Sequence, residues 1–214
     1  MNKKMISLLF ILSFIGVGFA QSQKHAYVDL GLPSGLLWAT CNVGADVPEE
    51  HGTSFAWGET RSKSEFSWKN YKYCKAPSLL SKKAKLTKYC SWSDIAYKKT
   101  DMLTVLQKVD DAAADNWGDG WRMPTKMEWK ELVDNTVQEW TTVNGKMGFR
   151  FMAPNGNSIF LPSTKHGRGF YWSSSLADEP YYAYTLDWFG QLKVSIGKGY
   201  RCLGYAVRPV RDAR

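Results

Sequence analysis

The most informative segment of this chain reads Asn116-Trp117-Gly118-Asp119-Gly120-Trp121-Arg122-Met123-Pro124-Thr125. It predicts the end of one helix, a tight turn and the start of a second helix. Gly118 permits the positive φ of a helix stop, and Pro124 disfavours helical backbone at the residue before it. Thr125 and Glu128 have the spacing of a capping box, in which each side chain accepts a backbone N–H at the helix start. The segment therefore indicates an architecture rather than a chemistry.

Two short helices are predicted around this turn. An Ala-rich helix over 112–117 has Asp110 or Asp111 as its N-cap. A second helix is predicted over about 126–135. Part of its apolar face is predicted from the spacing of Met127, Leu132 and Val133.

Short extended segments make up most of the remaining sequence. Residues 27–30 and 36–40 are predicted strands joined by a turn that contains Gly and Pro. Hairpin turns are predicted at Asn144-Gly145 and Asn155-Gly156, because Asn-Gly favours the positive φ of tight hairpins. The later predicted strands are 158–162, 170–174, 184–188, 192–196 and 205–210. Two short helices and several short antiparallel strands predict an α+β fold.

The first twenty residues have the pattern of a signal peptide. Lys3 and Lys4 precede an apolar run over 6–19, and Gly18-Phe19-Ala20 supplies the small residues of a cleavage site. The run is short and poorly flanked for a membrane anchor, so we expect cleavage and no membrane span in the mature chain; an uncleaved anchor is the alternative. The remaining chain, 21–214, is predicted to be a single domain that is secreted or resides in the periplasm or cell envelope.

A Lys-rich insertion is predicted at about 61–100. It contains eleven Lys and Arg residues against Glu65 and Asp94, a local formal charge of +9 in a chain whose total is +8. Such a patch can attract an anionic partner, but a solvated surface is the favoured interpretation. Nucleic acid is not an expected partner, because the chain is exported and has no nucleic-acid-binding motif.

Four cysteines in an oxidising compartment are candidates for disulfides. Cys74 and Cys90 bracket fifteen residues of the insertion, and closing that loop would stabilise the fold by about 3 kcal/mol. We therefore predict a Cys74–Cys90 disulfide. Cys41 and Cys202 lie in apolar segments, where a second disulfide and buried free thiols both remain open. No Cys/His spacing indicates zinc.

Several sequence blocks, taken in order, resemble one known family. The blocks are Val28–Thr40, Phe55–Thr60, Asp110–Ala113, Asn116–Gly118, Trp121–Thr125, Ile159–Pro162, Tyr171–Ser174 and Val207–Val210. In these blocks the chain resembles the Fibrobacter succinogenes major paralogous domain (FISUMP) family, which is common in exported Bacteroidetes proteins. The resemblance implies a C-type-lectin-like fold with two helices, a pair formed by the N- and C-terminal strands, and a second sheet that bears loops.

The superfamily implied by this resemblance contains both binding proteins and enzymes. It includes sugar lectins, variable ligand-binding proteins, invasin tips and formylglycine-generating enzymes, so the fold does not decide the function. The resemblance places the ligand loops of this fold in the segment 181–200. Tryptophans in the motif blocks are expected in the core, and Arg122 and Arg208 are expected to bind buried carboxylates, such as Glu128, or backbone carbonyls.

Aromatic side chains of the segment 181–200 are the predicted ligand-binding residues. They are Tyr181, Tyr182, Tyr184, Trp188 and Tyr200, and strand alternation suggests that some of them face the core. Flat rings offer apolar area with a polar edge at low cost in conformational entropy, which suits a glycan or protein ligand outside the cytoplasm.

Calcium-dependent sugar binding would need several oxygen ligands brought together on loops. The candidate ligands are Asp178, Glu179, Asp187 and Asn157. Ordinary solvated carboxylates are the favoured interpretation, so no metal or other cofactor is predicted.

Catalysis has the weakest support in the sequence. His25, His51 and His166 are far apart, and no hydrolase or zinc-protease motif is present. A copper oxidoreductase of the formylglycine-generating type would have to use Cys41 and Cys202, without the surrounding motifs of that family. We therefore predict an exported, non-catalytic recognition module. A structural or adhesion component of an envelope assembly is the alternative.

Overall fold

A computed structural model of the chain describes residues 25–75, 85–118 and 120–213. The predicted signal peptide lies outside the described residues, as do Asp119 and residues 76–84 of the Lys-rich insertion. Within the described ranges the chain has two α-helices and eleven short strands, all paired antiparallel, so the predicted α+β class is confirmed. No helix in this part of the chain is long and apolar enough to cross a membrane.

Among the described residues, the two helices lie between four short strands and seven later strands. The helices are α1 (Ala112–Trp117) and α2 (Lys126–Asp134), and a 3₁₀ turn over Lys108–Asp110 precedes α1. The strands before the helices are β1 (Tyr27–Asp29), β2 (Leu37–Ala39), β3 (Cys74–Lys75) and β4 (Lys85–Leu86). The strands after them are β5 (Val137–Val143), β6 (Lys146–Met152), β7 (Ser158–Pro162), β8 (Arg168–Leu176), β9 (Tyr182–Phe189), β10 (Ser195–Tyr200) and β11 (Val210–Arg211).

The strands form four small sheets in the described part of the chain. Their orders are β1-β2-β11, β10-β9-β8, β3-β4 and β5-β6-β7. The first sheet joins both ends of the described chain, because Trp38 pairs with Val28 on one side and with Val210 on the other. The later sheets are built from hairpins, in which each strand pairs with the next one along the chain.

The helix–turn–helix segment folds as its residue types predict. Asp111 caps α1 by accepting the backbone N–H groups of Ala113 and Ala114, and Gly118 ends the helix at a φ of 61°. Thr125 Oγ1 accepts the N–H of Glu128 at 3.2 Å, and the Glu128 carboxylate accepts the N–H of Thr125 at 2.7 Å. The capping box is therefore confirmed.

Three local predictions are corrected by tertiary packing. Met127 is 64% exposed, and Trp129 together with Leu132 buries the inner face of α2. The strand predicted over 192–196 lies at 195–200, where its register is set by pairing with β9. The final strand predicted over 205–210 is regular only at Val210–Arg211.

Two hydrophobic clusters lie on opposite faces of the β8–β9 pair. Successive residues of a strand point to opposite faces, so Tyr171 joins one cluster and Trp172 the other. The first cluster packs α2 and the β5-β6-β7 sheet against Trp38 and Trp188. The second contains Trp57, α1 and three tyrosines of the Lys-rich insertion, Tyr71, Tyr73 and Tyr89.

Arg208 fixes the C-terminal segment inside the fold, as its expected structural role requires. The residue is fully buried, and its guanidinium donates to the carbonyls of Ala39, Thr40 and Phe160 and to Asn42 Oδ1. Burial lowers the pKa of Arg208 to about 10, so the side chain stays charged at neutral pH. Backbone oxygens, rather than a carboxylate, compensate this charge.

The predicted Cys74–Cys90 disulfide is not formed in the structure. All four cysteines are free thiols there, with Cys90 and Cys202 buried and Cys41 and Cys74 half-buried. Cys74 Sγ donates to the carbonyl of Lys75 at 3.7 Å, and Cys90 Sγ donates to the carbonyl of Trp92 at 3.3 Å. Each thiol is therefore oriented toward a nearby carbonyl instead of toward the other sulfur.

Candidate functional site

The β9–β10 hairpin carries the predicted ligand-binding aromatics, but three of them lie in the interior. Trp188 is 1% exposed and belongs to the first hydrophobic cluster, where its Nε1 donates to Ser163 Oγ at 2.9 Å. Tyr181 and Tyr184 are buried as well. Alternation along the strands and packing against α2 and the insertion remove these three rings from the surface, and strand alternation already predicts that some of the five face the core.

Tyr182 and Tyr200 remain at the surface and contact each other. They are direct cross-strand partners, with ring centroids 4.4 Å apart and an interplanar angle of 27°. Tyr200 is 37% exposed and Tyr182 is half-buried. The hydrogen bond with Tyr200, followed by burial, raises the pKa of Tyr182 to about 12. The Tyr182 hydroxyl is therefore neutral at physiological pH and can both donate and accept.

Trp68, from the Lys-rich insertion, extends this aromatic surface. Its ring meets the rings of Tyr200 and Tyr181 edge-on, at centroid distances of 6.2 Å and 5.7 Å. Trp68 is itself half-buried. We refer to Trp68, Tyr182 and Tyr200 as the Tyr182–Tyr200 surface. Nothing in the local sequence indicated Trp68, because the contact joins segments that are far apart in the chain.

Charged side chains flank the Tyr182–Tyr200 surface. Lys198 lies two residues before Tyr200, on the same face of β10, and its Nζ lies 2.9 Å from Glu179 Oε2 and 3.5 Å from Asp178 Oδ2. The hydroxyl of Tyr184 donates to Asp178 at 3.0 Å, and this bond together with Lys198 lowers the pKa of Asp178. Ammonium and carboxylate groups thus offer both donors and acceptors beside the aromatic rings.

The four candidate calcium ligands do not form one site. Asp178 and Glu179 share Lys198, whereas Asp187 lies on the opposite face of the β9–β10 hairpin. Asn157 donates to the carbonyl of Asp29 at 2.8 Å. Within the ranges that the structure describes, no group of three His, Cys, Asp or Glu side chains could hold a metal ion.

Arg201 links the Lys-rich insertion to the β9–β10 hairpin. It is fully buried, and its guanidinium donates to Tyr71 Oη and to the carbonyls of Lys88, Tyr89 and Pro180. The guanidinium carbon also lies 4.9 Å from the ring centroid of Trp57. The buried charge is thus held by aromatic faces and oxygen atoms, which joins the described parts of the insertion, around Tyr71 and Tyr89, to the folded body.

Asp110 binds two lysines of the insertion from inside the protein. Its buried carboxylate accepts from the hydroxyls of Tyr73 and Tyr89 and lies 3.1 Å from Lys72 Nζ and 2.5 Å from Lys88 Nζ. Part of the local positive charge therefore neutralises a buried acid. The interpretation of the insertion as only a solvated lysine surface is corrected for these two side chains.

The cysteines do not supply an activated thiol pair in this arrangement. Cys202 is buried in the second hydrophobic cluster, and burial raises the pKa of its thiol to about 11. Metal binding requires the thiolate, which is scarce at neutral pH for such a group. Cys41 lies outside that cluster, with its Sγ 3.6 Å from Thr40 Oγ1.

Comparison of the chain with family models, with functionally characterised proteins and with solved structures finds no significant match.

Proposed function

We propose that this protein is an exported, non-catalytic recognition module that binds a glycan or protein ligand through the Tyr182–Tyr200 surface. The observation that carries the proposal is the stacked pair of surface tyrosines, bordered by Trp68. Stacked rings present a rigid apolar face, and little side-chain entropy is lost when a ligand covers it.

The charged rim supports the recognition of a polar ligand by this surface. Lys198 supplies donors, whereas Asp178 and Glu179 supply acceptors. Sugar hydroxyls can bind both kinds of group while a pyranose ring packs on an aromatic side chain. A protein ligand would use the same rings as apolar anchors within a polar rim.

The sequence blocks support a place for this module in the FISUMP family and in the C-type-lectin-like superfamily. At a coarser level the α+β architecture and the sheet that joins both chain ends agree with this proposal. The N-terminal signal pattern supports a location outside the cytoplasm, either secreted or in the cell envelope.

The test is binding of residues 21–214 to arrays of glycans and of cell-surface proteins. Tyr200→Ala and Tyr182→Ala should each weaken binding about tenfold, equal to about 1.4 kcal/mol, because each removes half of the stacked platform. Tyr27→Ala is the matched control, since Tyr27 is a 48% exposed tyrosine on another sheet. Unchanged thermal unfolding of the variants would show that the loss is local.

Two outcomes would overturn the proposal. Binding that is unaffected by both Tyr182→Ala and Tyr200→Ala would exclude this surface. Stable oligomers in light scattering, together with no ligand on either array, would support the structural or adhesion component instead.

A further inference from the structure

Asp187 lies on the sheet face opposite the Tyr182–Tyr200 surface. It is the cross-strand partner of Phe170 on β8 and of Ser195 on β10. Direct partners in an antiparallel sheet point to the same face. The three side chains therefore form one row across the β8-β9-β10 sheet, and this site is independent of the proposed ligand surface.

The Asp187 carboxylate has neutral hydrogen-bond partners and no cation. Ser195 Oγ donates to its Oδ1 at 2.7 Å, and Thr185 Oγ1 lies 3.2 Å from its Oδ2. No Lys, Arg or His nitrogen in the described chain comes within the 4.0 Å of an ion pair with it. Burial raises the pKa of Asp187, and the two hydroxyls oppose this rise. A half-buried carboxylate of this kind gains more from a cationic partner than a fully solvated one does.

Aromatic side chains lie on the same sheet face as this carboxylate, because Phe170 is its cross-strand partner and Phe189 lies two residues further along β9. Phe170 stacks on Tyr205 at 4.8 Å between centroids and meets Phe189 edge-on at 5.5 Å. Phe189 is 47% exposed, and the guanidinium of Arg168 lies 5.5 Å from its ring centroid. The face of the sheet is therefore already in contact with one guanidinium, although that group forms no ion pair with Asp187.

Gly197 has no Cβ and so leaves the space that the Asp187 carboxylate occupies. A Cβ at this residue would lie 1.8 Å from Asp187 Oδ2 and 2.7 Å from its Cγ. Only glycine at this point of β10 lets the carboxylate lie over the edge strand. The acid is thus held against the backbone of β10 by the hydroxyl of Ser195 on that strand and by the hydroxyl of Thr185 on β9.

We propose that Asp187, Phe170 and Phe189 form a binding site for an arginine side chain of a partner protein. A guanidinium donates two parallel hydrogen bonds to a carboxylate and stacks its plane on aromatic rings, which matches both components of the site. Charge complementarity selects the occupant, because the site offers one unpaired negative charge in an apolar setting.

The test is a titration of isotope-labelled protein, residues 21–214, followed by NMR. The probe is Nα-acetylarginine amide, and the matched control probe is Nα-acetylcitrulline amide, which has nearly the same shape without the charge. We expect saturable shifts of the Asp187 carboxyl carbon and the Gly197 amide with arginine, and at least tenfold weaker binding of the citrulline probe. Asp187→Asn should remove the arginine response, whereas Asp134→Asn, at an exposed residue paired with Lys130, should retain it.

Equal affinity for the two probes would overturn the proposal, and this comparison uses the unaltered chain. A retained response in Asp187→Asn would also overturn it. An affinity that rises more than tenfold in Arg168→Ala would identify Arg168 as the natural occupant, in place of a partner. Because all three outcomes are read on the face that carries Asp187, they are separate from the array experiment on Tyr182 and Tyr200.

Discussion

Asp110 shows how the fold uses the charges of the Lys-rich insertion. Although burial alone would raise the pKa of this carboxyl, its bonds from Lys88, Tyr73, Tyr89 and Lys72 outweigh that effect and lower the pKa. The residue is 2% exposed, so its charge depends on these four donors rather than on water. A buried acid with several donors stabilises the fold only while the whole set stays intact.

Asp110→Asn should reduce the free energy of unfolding by about 3 kcal/mol, because it leaves Lys88 near the interior without its counter-charge. Urea denaturation measures this change. Asp134→Asn should alter the unfolding free energy by less than about 1 kcal/mol, since its pair with Lys130 is exposed. A similar loss in both variants would contradict the structural role of the buried cluster.

The pH dependence of the unfolding free energy should show the contribution of the Asp110 carboxylate. The folded-state pKa of Asp110 lies below the ordinary value of about 3.9, so its contribution is complete above that pH and is lost as the pH falls below it. Urea denaturation of the natural chain should therefore show a loss of stability below about pH 4 that is smaller in Asp110→Asn. Parallel curves for the two chains would contradict this assignment.

Residue types revealed these structural roles and one partner, Glu128 for Arg122, but not the partners of Asp110. The sequence indicated structural roles for Arg122 and Arg208, and Arg122 binds Glu128 through two nitrogens, at 2.8 Å and 2.7 Å. Asp110 was predicted only as a possible cap of α1, because its tyrosine and lysine partners belong to segments without apolar periodicity. Their proximity depends on packing that no local pattern records.

At the scale of elements, the capping box of α2 provides a direct test. Thr125→Ala should lower the unfolding free energy by about 1 kcal/mol, since the N–H of Glu128 loses its acceptor. Thr125→Ser keeps the hydroxyl and should remain within a few tenths of a kcal/mol of the natural chain. Chemical denaturation compares the three proteins, and equal losses for alanine and serine would show that the cap contributes nothing.

Element starts and turns were predictable because their causes are local. Asp111, Gly118, Thr125 and the Asn144-Gly145 turn act through the backbone groups beside them. Strand bounds and helix faces were less predictable, since they depend on distant partners. The length of β10 follows from its pairing with β9, and the exposure of Met127 follows from which side of α2 Trp129 occupies.

At the scale of the whole molecule, Arg201 should protect the Lys-rich insertion from proteolysis. Arg201→Met removes its bonds to three carbonyls and to Tyr71, and each buried group left unpaired costs about 1–3 kcal/mol. We expect cleavage by a lysine-specific protease within 61–100 to accelerate at least tenfold. Mass spectrometry of the early fragments locates the cuts.

Arg168→Met is the control for this proteolysis experiment, because Arg168 is exposed and its guanidinium packs on the Phe189 ring. Its cleavage rate should match that of the natural chain. Cuts spread evenly over the whole of Arg201→Met would show global unfolding, and would contradict a specific anchoring role in the insertion.

The composition of the insertion did not indicate that its tyrosines pack into the fold. Lysines dominate its sequence, and the side chains that pack inside the protein are scattered along it: tyrosines and the half-buried Trp68, together with Leu86, Cys90 and Ile95. The candidate site was placed by the aromatic residues of the segment 181–200, and composition alone does not show which of these rings are exposed. The aromatic content of the segment 181–200 is read directly from the sequence. The burial of Trp188, Tyr181 and Tyr184 depends on the sheet and on distant segments that cover them.

The central position of β2, between β1 and β11, has a consequence for how the molecule is made. A nascent chain that emerges amino end first cannot complete this sheet until Val210 has left the ribosome. Products that stop early would lack that strand and also Arg208, whose guanidinium satisfies carbonyls near Ala39. A stop codon before position 208 should thus remove both the third strand of this sheet and the donor for these carbonyls.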